Sequence, residues 1–238
     1  MDKNELLDIL KKEPIRNMSI IGFVENNTLE KVFNDGKSFI IIAESDHKWA
    51  YVSSTDREEL KRIIDRSDIP TKYYANIENW MLPIITEGYQ VEWQLKTRRY
   101  YFPEDKDIKE PVHAVDNLRE GDIEVILEHS LYAEHLSHEL LKKRMEEGIS
   151  AAVRVDSKLA AWGMTHDDKS LGFLHVIEKY RQRGFAQDIG RSLIKKKREM
   201  GEAIYINIEV DNEKSIKLSE GMGFKYDREI SWLKLSEK

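Results

Sequence analysis

The segment LGFLHVIEKYRQRGFAQDIGRSLIKKK, residues 171–197, constrains the fold of this chain more than any other stretch. Its apolar start predicts a strand, Gly184 predicts a tight turn, and the spacing of Ile189 and Leu193 predicts an amphipathic helix. The first N–H groups of such a helix have no internal partners and can bind an anion. Gly184 leaves the approach open, and Arg181 and Arg183 add positive charge. The segment therefore predicts a site for a phosphate or diphosphate.

Two other phosphate motifs do not fit this segment. A nucleotide-triphosphate loop requires GxxxxGK[ST], but five residues separate Gly184 from Gly190 and no lysine follows. A dinucleotide loop requires GxGxxG, and the window around Gly184 lacks the other glycines. The failure of both motifs weakens the interpretation of the chain as a general anion-binding or nucleotide-binding α/β protein. Two stronger interpretations follow below.

The charged segment YFPEDKDIKEP, residues 101–111, predicts an exposed connector between two domains. We therefore expect an N-terminal α/β accessory domain at residues 1–105 and a second domain at 106–238. In the first, SFIIIAES and KWAYVSS are typical of strands, and DREELKRIIDRS and the N-terminal stretch are typical of helices. The aromatic residues between positions 73 and 102 are expected to pack in a core rather than to form a substrate wall.

In the second domain, VHAVDN at residues 112–117 predicts a short strand, and two helices and three strands follow it. After the helix that begins behind Gly184 come a strand, a helix and a closing strand. We expect that helix to bury Ala186, Ile189, Leu193 and Met200 in one stripe. The basic run at residues 195–198 is expected to be solvated at the negative end of the helix dipole.

The turn also matches the pattern [QR]xxGx[GA], from Arg181 to Ala186. Around it lie the strand LGFLHVIEKY, the strand YINIEV followed by Asp211 and Asn212, and the ending LSEGMGF. In this combination, over about residues 111–235, the sequence resembles the GNAT superfamily of N-acetyltransferases. LGFLHVIEKYRQRG is most similar to the glycine N-acyltransferase-like branch. The resemblance implies an α/β (α+β) fold with a GNAT-type mixed, mostly antiparallel central sheet flanked by helices.

The resemblance further implies acetyl-CoA, or another acyl-coenzyme A, as cosubstrate. The implied coenzyme-binding residues are Leu174, Val176, Arg181, Gln182, Arg183, Gly184, Phe185, Ala186, Gln187 and Asn212. The implied reaction transfers the acyl group directly to the primary amine of a small molecule or amino acid. A backbone N–H on the strand from Leu174 to Ile177 would stabilise the oxyanion.

Two catalytic positions depart from the family pattern. The tyrosine that commonly protonates the departing thiolate corresponds to Ser219, and the glutamate that serves several relatives as base corresponds to Ser170. Asp168, His166 and His175 are the alternative proton acceptors, with Ser219 as the candidate acid. These departures motivate a second hypothesis, an acyl-coenzyme A-binding sensor module without turnover.

Composition limits the remaining partners. A net charge of -6 argues against nucleic acid and against anionic membranes, and the absence of cysteine favours a cytoplasmic location. His129, His135 and His138 lack a completing ligand at a spacing that zinc sites use, so no metal is expected. The expected partners are a small amine or amino acid and a second copy of the chain in a homodimer.

Overall fold

The computed structural model of the protein describes residues 1–130 and 136–237. Its helices are α1 Lys3–Leu10, α2 Pro14–Asn26, α3 Arg57–Arg66, α4 Leu82–Ile85, α5 Ile123–His129, α6 His138–Glu147, α7 Phe185–Glu199 and α8 Glu213–Met222. Its strands are β1 Thr28–Asp35, β2 Ser38–Glu44, β3 Lys48–Ser53, β4 Tyr73–Ile77, β5 Tyr89–Tyr101, β6 Ser150–Val155, β7 Lys158–Thr165, β8 Leu171–Val176, β9 Tyr205–Glu209 and β10 Lys225–Glu237. The chain forms two compact units, which are described separately below.

The first unit contains Met1–Tyr100, Asn207–Glu213 and the residues from Tyr226 onwards. Its strands lie in the order β1, β2, β3, β4, β10, β5. β1, β2 and β3 are antiparallel, β3 and β4 are parallel, and β10 is antiparallel to β4. Phe39 and Ile41 of β2 pack in a core with α1 and α2, whereas Ile40 and Ile42 pack with α3 and α4. Burial on both faces explains why β2 is apolar at consecutive positions.

The second unit contains Tyr101–Ile206 and Lys214–Lys225. Its strands lie in the order β6, β7, β8, β9; the first three are antiparallel, and β8 and β9 are parallel with Leu171 opposite Ile206. Ala152, Trp162 and Met164 pack with α5 and α6 on one face. On the other face α7 lies directly against β7, since a Cβ added to Gly163 would lie 2.7 Å from Cγ2 of Ile189.

Two expectations about α7 are wrong. Lys197 is 1% exposed rather than solvated, because it continues the buried row of Ile189 and Leu193 at a spacing of four residues. Its stem is covered, and its Nζ donates to the carbonyl oxygen of Lys169 at 2.5 Å and lies 3.3 Å from the Glu202 carboxylate. Met200 caps the helix and is 58% exposed, so it does not belong to the buried stripe.

The expectation of a strand at residues 112–117 is also wrong. Asp116 forms an isolated bridge with Ala152, but the N–H groups of Val112 and His113 donate to the Asp188 carboxylate at 2.8 and 3.2 Å. Donors bound to a side chain are not available to a strand ladder, which explains why no strand forms in this segment.

The predicted fold class is confirmed: mixed α/β, with mostly antiparallel sheet flanked by helices. The predicted domain boundary between residues 105 and 106 stays a prediction. Among the helices of residues 1–130 and 136–237, none has an apolar run long enough to cross a membrane.

Candidate functional site

The turn that precedes α7 has an unusual backbone. Gly184 is the N-cap residue with φ 85° and ψ -3°, in the left-handed region. Gln182, two residues earlier, is also left-handed at φ 62°. Left-handed residues in a turn before a helix can direct backbone N–H groups toward a bound anion. The positive φ of Gln182 is a strained conformation that sequence reasoning did not identify.

The start of α7 is open to a ligand. No side chain caps it, and a Cβ added to Gly184 would meet no atom within 4 Å. The N–H of Gln187 already donates to the Gly184 carbonyl oxygen at 3.0 Å. The N–H groups of Phe185 and Ala186 precede this first helical bond and point out of the positive end of the helix.

Three cationic side chains surround the exposed turn. Arg183 and Lys179 both approach the ring of Tyr180, with centroid distances of 5.6 and 5.0 Å. Arg181 donates from Nε to the Val176 carbonyl oxygen at 3.3 Å, and its side chain is 54% exposed. A diphosphate at the helix start would therefore meet positive charge on the side chains as well as on the backbone.

Asp188 in the first turn of α7 does not compete with an anion for these groups. Its carboxylate is 1% exposed, and Nδ1 of His113 lies 2.6 Å from Oδ2. Burial opposes the charge of Asp188, but the N–H of Val112 and the ring and N–H of His113 hold its pKa below the ordinary value. This carboxylate is therefore ionised, anchors residues 112 and 113 to the helix and pairs with Arg191 at 3.4 Å.

A β-bulge interrupts β8, the strand that leads into the turn. Trp162 pairs with His175 and Met164 pairs with Gly172, so Phe173 and Leu174 together lie opposite Gly163. Phe173 has φ 50°, a left-handed conformation for a residue with a large side chain. Leu174 is 39% exposed although it lies inside a strand. A bulge leaves a residue outside the ladder, and bulges are frequent beside active sites.

His175 lies next to this bulge. Its ring stacks on Trp162 at a centroid distance of 4.6 Å and an interplanar angle of 22°. The ring of His129, at the end of α5, lies 6.1 Å away on a roughly parallel plane. Burial, then the charges of His129 and Arg181, lower the pKa of His175 below 6.5. The ring is therefore neutral at pH 7 and can accept a proton.

Asp168 and His166 occupy the turn between β7 and β8. Asp168 is 2% exposed, and its Oδ1 accepts from the N–H and the hydroxyl of Ser170 at 2.9 and 2.5 Å. The hydroxyl of Tyr205 donates to the Asp168 carbonyl oxygen. The ring of His166 packs against that of Phe173 at 4.5 Å. Asp168 is thus enclosed within the turn, whereas His166 contacts the bulge.

The last two predicted site residues lie beyond α7. Ser219 in α8 is 5% exposed, and its carbonyl oxygen accepts from the N–H groups of Gly223 and Phe224, both at 3.1 Å. Asn212 belongs to the first unit and directly precedes α8; its N–H donates to the Glu209 carbonyl oxygen at 3.0 Å. Of the three histidines considered as a metal cluster, His135 lies outside the described residues.

The second unit thus brings together most of the predicted coenzyme-binding residues. Leu174 and Val176 lie on β8, and the run from Arg181 to Gln187 forms the turn and the start of α7. The bulge was not predicted, because alternation of side chains does not reveal an inserted residue in a short apolar strand. The glycine at position 172 was the one available signal.

Part of the sequence matches a known protein family. The model of the FR47-like protein family matches residues 148–233, a range that includes β8, the turn and α7. A search among curated proteins finds no match to the sequence. Among solved structures, an X-ray structure of a Drosophila protein is similar with a TM-score of 0.81 and 16% identity, over 98% of this chain and 95% of that chain.

Two further structures carry names that describe their family. A GCN5-related N-acetyltransferase-like protein from Streptococcus suis has a TM-score of 0.58 and 13% identity, over 98% of both chains. A tandem GNAT protein from the clavulanic acid biosynthesis pathway has a TM-score of 0.59 and 13% identity, over 98% of this chain and 94% of that chain. The chain has the fold of these proteins, and residues 148–233 match the FR47-like family model. Its place in the glycine N-acyltransferase-like branch stays a prediction.

Proposed function

We propose that the protein is an N-acyltransferase that uses acyl-coenzyme A, with acetyl-CoA as the first choice of donor. The acceptor is the primary amine of a small molecule or amino acid. One observation carries the proposal: an uncapped, exposed and positively charged start of α7 follows a strand that is bulged at Phe173 and Leu174. The first feature suits the diphosphate of the coenzyme, and the second suits its thioester.

The coenzyme fits the groups that this chain presents. The N–H groups of the turn and of the first residues of α7 would hold the diphosphate, assisted by Arg181 and Arg183. The pantetheine amides would pair with the main chain of β8. The Val176 carbonyl oxygen accepts from Arg181 Nε at 3.3 Å, so the arginine side chain lies beside the path that the pantetheine would take.

The bulge would supply the oxyanion donor. When the amine attacks the thioester, a C–N bond forms and the carbonyl oxygen becomes negatively charged before the C–S bond breaks. A backbone N–H at Phe173 or Leu174 that lies outside the strand ladder can donate to this oxygen. Such a donor is fixed before the reaction and requires no reorganisation.

His175 is the proton acceptor that we favour. Its half-buried ring is neutral at pH 7 and lies one residue beyond the bulge. Asp168 is enclosed by its own turn, so we assign it a structural role. The departing thiolate must also gain a proton. An ordinary thiol, such as that of cysteine with a pKa of about 8.5, is protonated in water at pH 7. The thiolate can therefore take its proton from water, and we assign no step to the buried hydroxyl of Ser219.

The experiment is a thiol-release assay with acetyl-CoA and a panel of amines and amino acids, beside calorimetric titration of acetyl-CoA alone. The proposal predicts binding, and release of one thiol per acylated amine for at least one acceptor. Binding without thiol release from any acceptor would favour the sensor module. Equal affinity for ATP and coenzyme A would favour a general anion site and contradict the proposal.

A further inference from the structure

The backbone conformation of the β8 bulge must be held by packing contacts. A left-handed residue with a β-carbon is strained and persists only when its surroundings enforce it. Phe173 is such a residue at φ 50°. An extended backbone would remove the strain and return the bulge N–H to an ordinary strand position. The side chains packed around Phe173 therefore decide where this N–H points.

The imidazole of His166 is packed on the bulge from one side. Its ring lies 4.5 Å from the Phe173 ring, with 31° between their planes. It also lies against Gly172, where an added Cβ would overlap Nε2 and Cδ2 of the imidazole. Gly172 does not have a positive φ, so the glycine is needed here for space and not for backbone conformation. The ring thus fills the room that a side chain at residue 172 would take.

The position of His166 is itself fixed by the turn that it begins. Its N–H donates to the Ser170 carbonyl oxygen at 2.9 Å, and its carbonyl oxygen accepts from the N–H of Lys169 at 3.0 Å. The two hydrogen bonds from Ser170 to Asp168 close the same turn. Burial lowers the pKa of His166, against the pull of Asp168 and Asp167, so the ring packs as a neutral, flat surface.

The strand beside the bulge is held on its other face by α7. Gly163 of β7 lies opposite Phe173 and Leu174, and a Cβ added to it would lie 2.7 Å from Ile189 and 3.1 Å from Leu193. β7 therefore has no room to move toward α7. Phe173 packs against the core on the face of α5 and α6, and His166 adds a ring contact to it there.

We propose that His166 is a positioning residue: seated on Gly172 and against Phe173, its ring holds the bulge so that a backbone N–H meets the developing oxyanion. This inference rests on the proposed function, since it concerns the same thioester site. It assigns His166 a role by packing rather than by proton transfer. Gly172 has a matching role, because it provides the space that the ring occupies.

The test uses three single variants, His166→Ala, His166→Phe and Gly172→Ala. It also uses the double variant that combines Gly172→Ala with His166→Ala. The alanine variant removes the ring, and a misplacement of about 1 Å costs up to roughly a hundredfold in rate. We expect kcat to fall tenfold to a hundredfold, with the Kd of acetyl-CoA within about twofold of wild type. His166→Phe restores a flat ring without a titrating nitrogen and should recover most of kcat with an unchanged pH profile.

Gly172→Ala should lower kcat by displacing the ring, but it should do little more harm once the ring is gone. The double variant therefore resembles His166→Ala alone, a coupling between neighbours that independent sites do not show. If His166→Ala does not fold, as judged by circular dichroism, Gly172→Ala alone and His166→Phe still test the proposal.

Each other outcome rejects the proposal. An unchanged kcat in His166→Ala overturns the positioning role while the acyltransferase function stands. If His166→Phe is as slow as His166→Ala and the acid limb of the pH profile is lost, His166 transfers protons and the packing role is wrong. If wild-type protein binds acetyl-CoA but releases no thiol with any amine, the proposed function fails, and this proposal fails with it.

Discussion

Replacing Gly184 with aspartate places a fixed negative charge where we expect the diphosphate to bind. The chain offers a matched control at the other end of the same helix. Gly201 is also left-handed, at φ 69°, and an added Cβ there also meets no atom within 4 Å. Both substitutions therefore cost a similar amount in backbone conformation, about 1 kcal/mol, because aspartate tolerates the left-handed region better than most residues. The two sites differ in their distance from the ligand.

The expected loss of affinity follows from the distances. A carboxylate about 6–8 Å from one diphosphate charge is repelled by about 2–3 kcal/mol at an effective dielectric of about 20. That corresponds to roughly a thirtyfold to hundredfold loss of affinity. Gly201 is separated from the site by α7, whose 15 residues span about 22 Å, so its charge is screened. The helix dipole favours an acidic residue at position 184 over one at 201, so general destabilisation would act in the opposite direction.

The assay is calorimetric titration of acetyl-CoA at about 0.15 M salt, with thermal unfolding of both variants in parallel. We expect Gly184→Asp to lose binding and Gly201→Asp to bind as wild type does. Gly184→Asn, which adds similar volume without charge, should fall between them. Equal Kd values for Gly184→Asp and wild type would refute the assignment of the diphosphate to this helix.

Three further predictions concern single side chains. His175→Gln should lower kcat/KM about a hundredfold. The pH profile of kcat/KM for the wild-type protein should show an acid limb below pH 6.5, because burial lowers the pKa of His175. The variant should lack this acid limb. Asp168→Ala should lower the free energy of unfolding by roughly 1–3 kcal/mol, measured with urea, because two buried donors of Ser170 lose their acceptor, while the Kd of acetyl-CoA stays unchanged. Calorimetry should give one acetyl-CoA per chain, because the proposal places a single site at the start of α7 and the Asp56 carboxylate closes the start of α3. A second site would contradict the proposal of a single site.

The parts of the site that the sequence predicted are local ones. A strand, a glycine and an amphipathic helix are each defined within a few residues, so the turn at Gly184 could be placed without tertiary information. α2, in contrast, is a helix that a local pattern does not reveal. It is buried around most of its circumference, at the consecutive positions 17–20 and again at 22–24, so it lacks the one-sided apolar stripe by which a surface helix is identified.

The remaining features depend on contacts between distant residues. The bulge at Phe173 reflects packing by His166 and α7, and the burial of Lys197 reflects an acceptor on the turn that ends at Ser170. The failure to form a strand at Val112 and His113 reflects a carboxylate that lies 75 or 76 positions away. None of these partners is visible in a local pattern, and each lies beside the candidate site.

The central claim is that the start of α7 and the bulge of β8 together hold an acyl-coenzyme A. A crystal structure of the protein with acetyl-CoA tests it most directly. We predict that the diphosphate oxygens accept from backbone N–H groups between Gln182 and Ala186, and that the thioester carbonyl oxygen faces Phe173 and Leu174. A coenzyme bound elsewhere, with no ligand contact at this turn, would contradict the account.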